Sequence, residues 1–396
     1  MQQEADKQSK LGVLGGGQLG RMLIQAGMNL NLHTKVLDPD AEAPCRDLAS
    51  EFVVGSLTDY KTVIEFGQDV DTLTIEIENV NTDALMDLQK QGVKVYPQPE
   101  IIRMIQDKRT QKLFFREHNI PTSEFFLTSN KEELQDFIQF LPAVHKIGKG
   151  GYDGKGVIKL SSEEDFDKAF DAPSVLEKLV DIEKEISIII ARTIKGEVKA
   201  YPAVELVYHD ANLVDYLLGP AAISNEVAEE AERIATDLVN EMEFVGLLAV
   251  ELFVTKSGKV LVNEIAPRTH NSGHQTIEAN YTSQFEQHLR AVLELPLGST
   301  QLRTPSAMVN VLGEEGYTGM AHYEGLSEVL GKEGVYIHLY GKKITKPNRK
   351  MGHVTIIDEN KEQLLEKVDF VKKTLKVISL EDQDADTTEE VTEDDE

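Results

Sequence analysis

Two glutamates interrupt apolar stretches in the second half of the chain. Glu251 lies in "GLLAVELFVT" and Glu264 in "KVLVNEIA", and a turn at Ser257-Gly258 predicts that the two stretches form a hairpin. A carboxylate among apolar neighbours needs a cation or hydrogen-bond partners. Together with the Asn263 amide oxygen, the pair offers the oxygen ligands that Mg²⁺ prefers beside substrate phosphates. The alternative is a pair of ordinary surface glutamates.

The segment "APRTHNSGH", directly after the second glutamate, places further polar groups in one turn. Arg268 offers a planar fork for a small oxyanion. His270 could transfer a proton or donate a hydrogen bond near neutral pH. Asn271 and His274 belong to the same turn. Their position next to the predicted metal site favours a functional role over a purely structural one.

Glycines and lysines alternate in "HKIGKGGYDGKGVIKL", which predicts a loop between two strands. Lys146 ends the first strand. The backbone N–H groups of such a loop can cover a polyphosphate, and its lysines supply positive charge. The loop is not a Walker A motif, because no Gly-Lys-Ser/Thr opens a helix here. A flexible hairpin tip is the structural alternative. The glycines of this loop are Gly148, Gly150, Gly151, Gly154 and Gly156, and the second strand resumes at Val157.

A short segment, "EKLV", joins the loop-bearing part of the chain to the next part. A hinge of this kind can present backbone N–H and C=O groups to the edge of an adenine. Glu185 follows shortly afterwards and could accept hydrogen bonds from ribose hydroxyls. The hinge residues are Glu177, Lys178, Leu179 and Val180.

Both ends of the chain carry a further motif. "KLGVLGGGQLGRM" fits G-x-G-x-x-G between a strand and a helix, and Asp38 ends the next strand, so a dinucleotide-binding dehydrogenase is one hypothesis. Near the other end, "HLYGKKITKPNRKMGHV" gathers basic side chains around a turn. In an acidic chain this pattern is typical of a clamp for a phosphomonoester, or of a solvated basic loop. The basic side chains are Lys342, Lys343, Arg349 and Lys350.

The elements that position these residues alternate between strands and helices, which predicts an α/β (α+β) fold with a parallel N-terminal sheet. A helix after "QDK" is expected to end at Asn119-Ile120-Pro121. The predicted units are a flexible N-terminus (1–9), an α/β domain (10–106), a linker helix with a β-rich lid (107–176), a larger α/β body (177–300), a β-rich C-terminal subdomain (301–379) and a disordered acidic tail (380–396).

Composition excludes several classes of protein. The 396 residues carry a net charge of −27, which argues against nucleic acid as a partner, because phosphate binding needs a basic face. No apolar run reaches the roughly 20 residues of a membrane span, and the N-terminus has no signal-peptide core. A single cysteine, Cys45, excludes an intrachain disulfide and fits a reducing compartment. We therefore expect a cytoplasmic protein with no membrane partner.

Four motifs, in order along the chain, resemble the ATP-grasp ligases and, among them, the N5-carboxyaminoimidazole ribonucleotide synthase family of purine biosynthesis. They are "GGGQLGRM", "GGYDGKG", "NEIAPRTHNSGH" and "YGKKITKPNRKMGH". The resemblance covers about residues 10–375. It implies a Rossmann-like pre-ATP-grasp domain, a β-rich lid, an ATP-grasp body and a C-terminal β-rich subdomain. It also implies that the first glycine loop faces a phosphoribosyl substrate rather than a dinucleotide.

The resemblance implies a reaction: ATP-dependent carboxylation of 5-aminoimidazole ribonucleotide with bicarbonate, through carboxyphosphate, to N5-carboxyaminoimidazole ribonucleotide, ADP and phosphate. It implies two Mg²⁺ ions with ATP, for which Mn²⁺ could substitute, on Glu251 and Glu264. The expected catalytic residues are Arg268, His270, Tyr152 and Asp153. The expected ribonucleotide contacts are Gln18, Leu19, Glu76, Asn271, Lys342, Arg349 and Lys350, with Glu78 a weaker candidate. The expected ATP contacts are Lys108, Lys146, the loop 151–157, the hinge 177–180, Glu185, Asn263 and Glu264.

The resemblance also implies a homodimer and a transient contact with the mutase that takes the labile product. A contact of ATP with Tyr208 or His209 stays unassigned, and the acidic tail has no counterpart in the family pattern. Three other functions are open: a formate-dependent glycinamide ribonucleotide ligase of the same fold, an NAD-dependent dehydrogenase and a non-catalytic nucleotide sensor. An assay that supplies one substrate set or the other distinguishes the two ligases. A titration that measures binding of the dehydrogenase cofactor tests the dehydrogenase hypothesis.

Overall fold

The structure of the protein, a computed structural model, describes residues 9–151, 156–208 and 214–380. The acidic tail from residue 381 and residues 1–8 of the predicted flexible N-terminus lie outside the described residues. Within the described ranges, every helix is too short or too polar to cross a bilayer.

The N-terminal part is a five-stranded, all-parallel sheet in the order β3-β2-β1-β4-β5, which confirms the predicted parallel α/β unit. Parallel strands end at one edge of a sheet, and β1 pairs with β4. The first glycine loop therefore lies beside the residues that follow β4. The elements are β1 (Lys10–Leu14), α1 (Gln18–Met28), β2 (His33–Asp38), β3 (Glu51–Val54), α2 (Tyr60–Gly67), β4 (Thr72–Ile75), α3 (Thr82–Lys90) and β5 (Lys94–Val95).

Two short helices lead from this sheet into a four-stranded antiparallel sheet, the lid sheet, in the order β6-β9-β7-β8. Two 3₁₀ helices, at 132–140 and 163–168, cover it and bury Leu134 and Phe166 against Leu176. The predicted strand–loop–strand hairpin is confirmed, because β7 and β8 pair across the glycine cluster. The elements are α4 (Pro99–Ile105), α5 (Lys108–Glu117), β6 (Phe125–Thr128), β7 (Ala143–Ile147), β8 (Val157–Leu160) and β9 (Ser174–Lys178).

A nine-stranded sheet forms the rest of the body, in the order β15-β14-β10-β12-β13-β16-β20-β18, with β11 paired to β10. Helix α6 packs on it through an apolar stripe that includes Ala231, Ile234 and Leu238. The body elements are β10 (Ile182–Arg192), β11 (Val198–Ala200), β12 (Val204–Tyr208), β13 (Val214–Gly219), α6 (Asn225–Glu241), β14 (Gly246–Thr255), β15 (Val260–Ala266), a 3₁₀ turn at 271–273, α7 (Thr276–Ala279) and α8 (Gln284–Val292).

The C-terminal elements extend this same sheet, because β16 pairs with β13 and β20 pairs with β16. The unit boundary predicted at 300/301 thus lies between strands of one continuous sheet, and all the predicted boundaries remain predictions. A separate three-stranded sheet has the order β19-β17-β21. The elements are β16 (Ser306–Leu312), β17 (Gly319–Glu324), α9 (Leu326–Leu330), β18 (Val335–Leu339), β19 (Ile344–Thr345), β20 (Lys350–Ile357), α10 (Lys361–Thr374) and β21 (Lys376–Ser379).

Candidate active site

The two glutamates predicted on a hairpin face each other across it. Glu251 of β14 and Glu264 of β15 are register partners beside a β-bulge. Removal from water, together with repulsion from Glu264 and Glu185, raises the pKa of Glu251 to about 8. Burial would also raise the pKa of Glu264, but Lys108 lowers it below its ordinary value. Two buried carboxyl groups that repel each other in this way fit a divalent cation, which would favour the ionised form of both.

Lys108, predicted to contact ATP, opens helix α5 and points at this pair. Its Nζ donates to Glu264 Oε2 at 2.6 Å, and its backbone N–H donates to Gly148 O at 2.8 Å. Asp107 caps the helix by accepting from the Arg109 N–H. The first turn of α5 therefore connects the start of the glycine-rich loop to the carboxylate pair.

Lys146 ends β7, as predicted, and its ammonium group is held from two sides. Its Nζ donates to Asn263 Oδ1 at 2.7 Å and lies 3.0 Å from Glu177 Oε1. The Asn263 oxygen that the sequence offered to a cation thus accepts from Lys146 instead. Lys146 is 8% exposed, so its ammonium group is largely shielded from solvent.

The predicted hinge has a different local structure from the one expected. Glu177 and Lys178 belong to β9, and only residues 179–181 link that strand to β10. The N–H of Lys178 donates to Glu124 O and the N–H of Leu179 donates to Pro142 O, so these two donors already have partners. Val180 is half-buried in the linker. The Glu177 side chain, 3% exposed, lies in a buried charge cluster that the sequence did not indicate.

The glycine-rich loop is described at its two ends, at Gly151 and from Gly156 onward. Tyr152, Asp153, Gly154 and Lys155 lie outside the described residues, and their predicted roles stay predictions. Gly156 has φ +83°, and a Cβ there would overlap Ile147 Cγ2 and crowd Gly151, so both conformation and space require glycine. Val157 starts β8 opposite Lys146 and is exposed.

Glu185, predicted to accept from ribose hydroxyls, lies on β10 and has a partner within the protein. Tyr208 Oη donates to Glu185 Oε2 at 2.6 Å. Burial raises the pKa of Glu185. Tyr208 therefore lies beside Glu185, while His209 lies outside the described residues, and the contact of either residue with ATP stays unassigned.

The first glycine loop meets the C-terminal basic loop. Lys342 Nζ donates to Gln18 Oε1 at 3.0 Å and to Lys350 O at 2.8 Å. Glu76 Oε1 accepts from the Leu19 N–H at 3.2 Å, and burial raises the pKa of Glu76 to about 7. β4 ends at Ile75, so Glu76 belongs to the bend that follows this strand.

The basic side chains are close enough to repel one another. Burial, together with the charges of Arg349 and Lys350, lowers the pKa of Lys342 to about 8. Arg349 Nη1 donates to Ile344 O at 2.6 Å. Asn271 opens the 3₁₀ turn at 271–273 and is half-buried. Like charges held together in this way favour an anion, and a phosphomonoester fits this loop.

The turn at residues 268–270 spans the two ends of the site. Arg268 Nε lies 2.9 Å from Glu78 Oε1, and the Arg268 charge lowers the pKa of Glu76 against the larger effect of burial. His270 Nε2 lies 3.6 Å from Glu251 Oε1, and its Nδ1 lies 2.9 Å from Ser272 Oγ. The sequence missed Glu78 as the partner of Arg268. Its position two residues after Glu76 was the available signal.

Asp38 has a different role from the one a dinucleotide fingerprint would give it. Its Oδ2 accepts from the Gly16 N–H at 2.6 Å, and its Oδ1 accepts from the Asp40 N–H at 2.8 Å. Both oxygens therefore stabilise the loop itself. A ribose would have to displace these bonds, so the structure does not favour the dehydrogenase hypothesis.

Three family models match the chain in order. They are the Ribonucleotide synthetase preATP-grasp domain over residues 8–106, the ATP-grasp domain over 113–285 and the Phosphoribosylaminoimidazole carboxylase C-terminal domain over 306–367. The N5-carboxyaminoimidazole ribonucleotide synthase of Bacillus subtilis is 35% identical over 365 residues, which cover 90% of this chain and 94% of that protein. The chain belongs to the N5-carboxyaminoimidazole ribonucleotide synthase family. It is accordingly an ATP-grasp ligase.

Solved structures of the family have the same fold. The Thermotoga maritima synthetase superimposes with a TM-score of 0.87 at 42% identity, covering 94% of this chain and all of that one. The Aspergillus clavatus synthase, solved with ADP and 5-aminoimidazole ribonucleotide, gives 0.85 at 32% identity over 92% and 98% of the two chains. The Vigna aconitifolia phosphoribosylaminoimidazole carboxylase is 40% identical over 88% of this chain, but the chain spans only 64% of its length.

Proposed function

We propose that the chain carboxylates 5-aminoimidazole ribonucleotide with bicarbonate and ATP, giving N5-carboxyaminoimidazole ribonucleotide, ADP and phosphate in purine biosynthesis. One observation carries the proposal. Within the turn at 268–270, His270 lies near Glu251 of the carboxylate pair. Arg268 of the same turn contacts Glu78 in the bend after β4. A nucleotide end and a ribonucleotide end are therefore joined by side chains suited to a small oxyanion.

The proposed chemistry begins when a bicarbonate oxygen attacks the γ-phosphorus of ATP and the bond to ADP breaks. Lys146 and Lys108 offset the charge that spreads over the transferring group. Carboxyphosphate then releases phosphate and CO₂, and the amine nitrogen of the ribonucleotide attacks the CO₂ carbon and loses a proton. We assign bicarbonate and the released phosphate to Arg268 and His270. We assign the aminoimidazole and its proton to Tyr152 and Asp153.

Glu251 and Glu264 are the residues that would hold Mg²⁺, with Mn²⁺ as a substitute. Among the described residues, no three His, Cys, Asp or Glu side chains converge on one point. A two-carboxylate site nevertheless fits Mg²⁺, which keeps several waters and takes the rest of its ligands from substrate phosphates. When bound, the ion would neutralise charge on the β- and γ-phosphates.

We assign the acceptor to the end of the site where the first glycine loop meets the C-terminal basic loop. Lys342, Arg349 and Lys350 would hold the 5′-phosphate, with Gln18, Leu19, Glu76 and Asn271 around the ribose and base. A formate-dependent glycinamide ribonucleotide ligase is the second candidate, but the match to the carboxylase C-terminal domain does not favour it. We also propose a cytoplasmic homodimer that passes its labile product to the mutase by transient contact.

The experiment that tests the proposal measures ADP release by the full chain with MgATP and bicarbonate. Strong stimulation by 5-aminoimidazole ribonucleotide, and none by glycinamide ribonucleotide with formate, is the expected result. Stimulation only by the second pair would overturn the choice of acceptor. Gel filtration of the same sample tests the homodimer, since elution at the mass of one 44.1 kDa chain would contradict it.

A further inference from the structure

A second lysine of helix α5 is buried away from the substrate-facing groups. Lys112 lies four residues after Lys108, so the two side chains share one face of the helix. Its side chain is only 2% exposed. Its Nζ lies 3.0 Å from Glu177 Oε2 and donates to Thr122 Oγ1 at 2.6 Å. A buried ammonium group is costly unless it is fully paired, and packing alone would be served better by an apolar side chain.

The two oxygens of Glu177 are divided between two lysines. Oε2 faces Lys112 and accepts from Ser123 Oγ at 2.5 Å, whereas Oε1 lies 3.0 Å from Lys146 Nζ. Burial would raise the pKa of Glu177, but Lys146 and Lys112 together lower it to about 2. Glu177 is therefore ionised, and both of its oxygens have partners. Lys146 also donates to Asn263 Oδ1.

The charge balance of this cluster explains the presence of Lys112. Lys112 and Glu177 cancel, which leaves the full positive charge of Lys146 for the nucleotide. Without the Lys112 ammonium, Glu177 would neutralise Lys146 instead, since no other cation is paired with Glu177 among the described residues.

We propose that Lys112 is a positioning residue that holds Glu177, and through it keeps the charge of Lys146 available to the phosphates of ATP. The proposal deepens the proposed function and rests on its assignment of Lys146 to ATP. Lys112 touches no substrate in this scheme. It acts only through the carboxylate that it shares with Lys146.

The test is calorimetric titration of the full chain with MgADP, so that it does not depend on the acceptor. Lys112→Met is expected to weaken MgADP binding by roughly tenfold or more, within the range of coupling between neighbouring charges. The double variant Lys112→Met with Glu177→Gln removes both charges and is expected to restore affinity to within about threefold of wild type. A purely structural role predicts that the double variant binds no better than the single one.

Two results of this titration would contradict the role proposed for Lys112. Wild-type affinity in Lys112→Met, or equal loss in both variants, overturns the proposal. If Lys112→Met does not fold, as judged by its circular dichroism melting curve, Ser123→Ala replaces it. That change removes the hydrogen bond on Glu177 Oε2 with little loss of volume, and unchanged MgADP affinity would then overturn the proposal. Wild-type chain that binds MgADP without any stimulation by the ribonucleotide would contradict the proposed function alone.

Discussion

Raising the pH above 8 should weaken the binding of the ribonucleotide. Burial and two neighbouring cations lower the pKa of Lys342 to about 8. Lys342 is charged below that pH and neutral above it, so its attraction for a phosphate is lost as the pH rises. The charged fraction falls from roughly three quarters at pH 7.5 to roughly a tenth at pH 9, a change of about eightfold or just over 1 kcal/mol. The phosphate itself stays a dianion in this range, because its second pKa is about 6.

The assay is kcat/KM for 5-aminoimidazole ribonucleotide at saturating MgATP between pH 7 and 9.5. We expect it to fall with an apparent pKa near that of Lys342. The matched control is Lys342→Arg, whose guanidinium group stays charged throughout and should flatten the profile. Identical profiles for the wild type and Lys342→Arg would refute the reasoning, because another group would then carry the pH dependence. Lys112 is the first candidate, since burial lowers its pKa to about 8 as well.

Three further predictions concern other parts of the chain. Glu264→Ala and Arg268→Ala should each abolish ADP release with unchanged circular dichroism, and near-wild-type rates would contradict their assigned roles. A Cβ at Gly17 would overlap Glu76 Oε1, so Gly17→Ala should raise the KM for the ribonucleotide but not for ATP. The control is Gly331→Ala, where a Cβ meets only ordinary contacts. Burial lowers the pKa of His288 to about 4, so stability present above pH 6.5 should fall by about 2 kcal/mol by pH 5. Urea midpoints of His288→Gln should depend less on pH, and an unchanged slope would exclude this histidine.

Much of the end of the site that we assign to ATP could be predicted from the sequence, because its signals are local. Glu251 and Glu264 stand out as acids within apolar strands that a short turn must pair, and the structure pairs them. The glycine cluster predicted the β7–β8 hairpin for the same reason. In each case the residues that meet are near neighbours along the chain.

Other features could not be predicted, because they depend on contacts between distant segments. Nothing local in the sequence marks Lys112, and only tertiary packing buries it against Glu177. Asp38 matched a ribose-binding pattern, yet the tight loop before α1 needs its carboxylate for the Gly16 N–H. The continuity of the large sheet depends on the pairing of β13 with β16, and strand pairing between distant segments leaves no local signal.

Gln18 and Lys342 are separated by 324 residues, yet they share a hydrogen bond. The ribosome makes the side chains that we assign to ATP well before it reaches the basic loop, so the proposed acceptor end is completed only when residues 342–350 emerge. A polypeptide released before that point would carry Lys146, Glu251 and Glu264 but lack the basic side chains that we assign to the ribonucleotide phosphate.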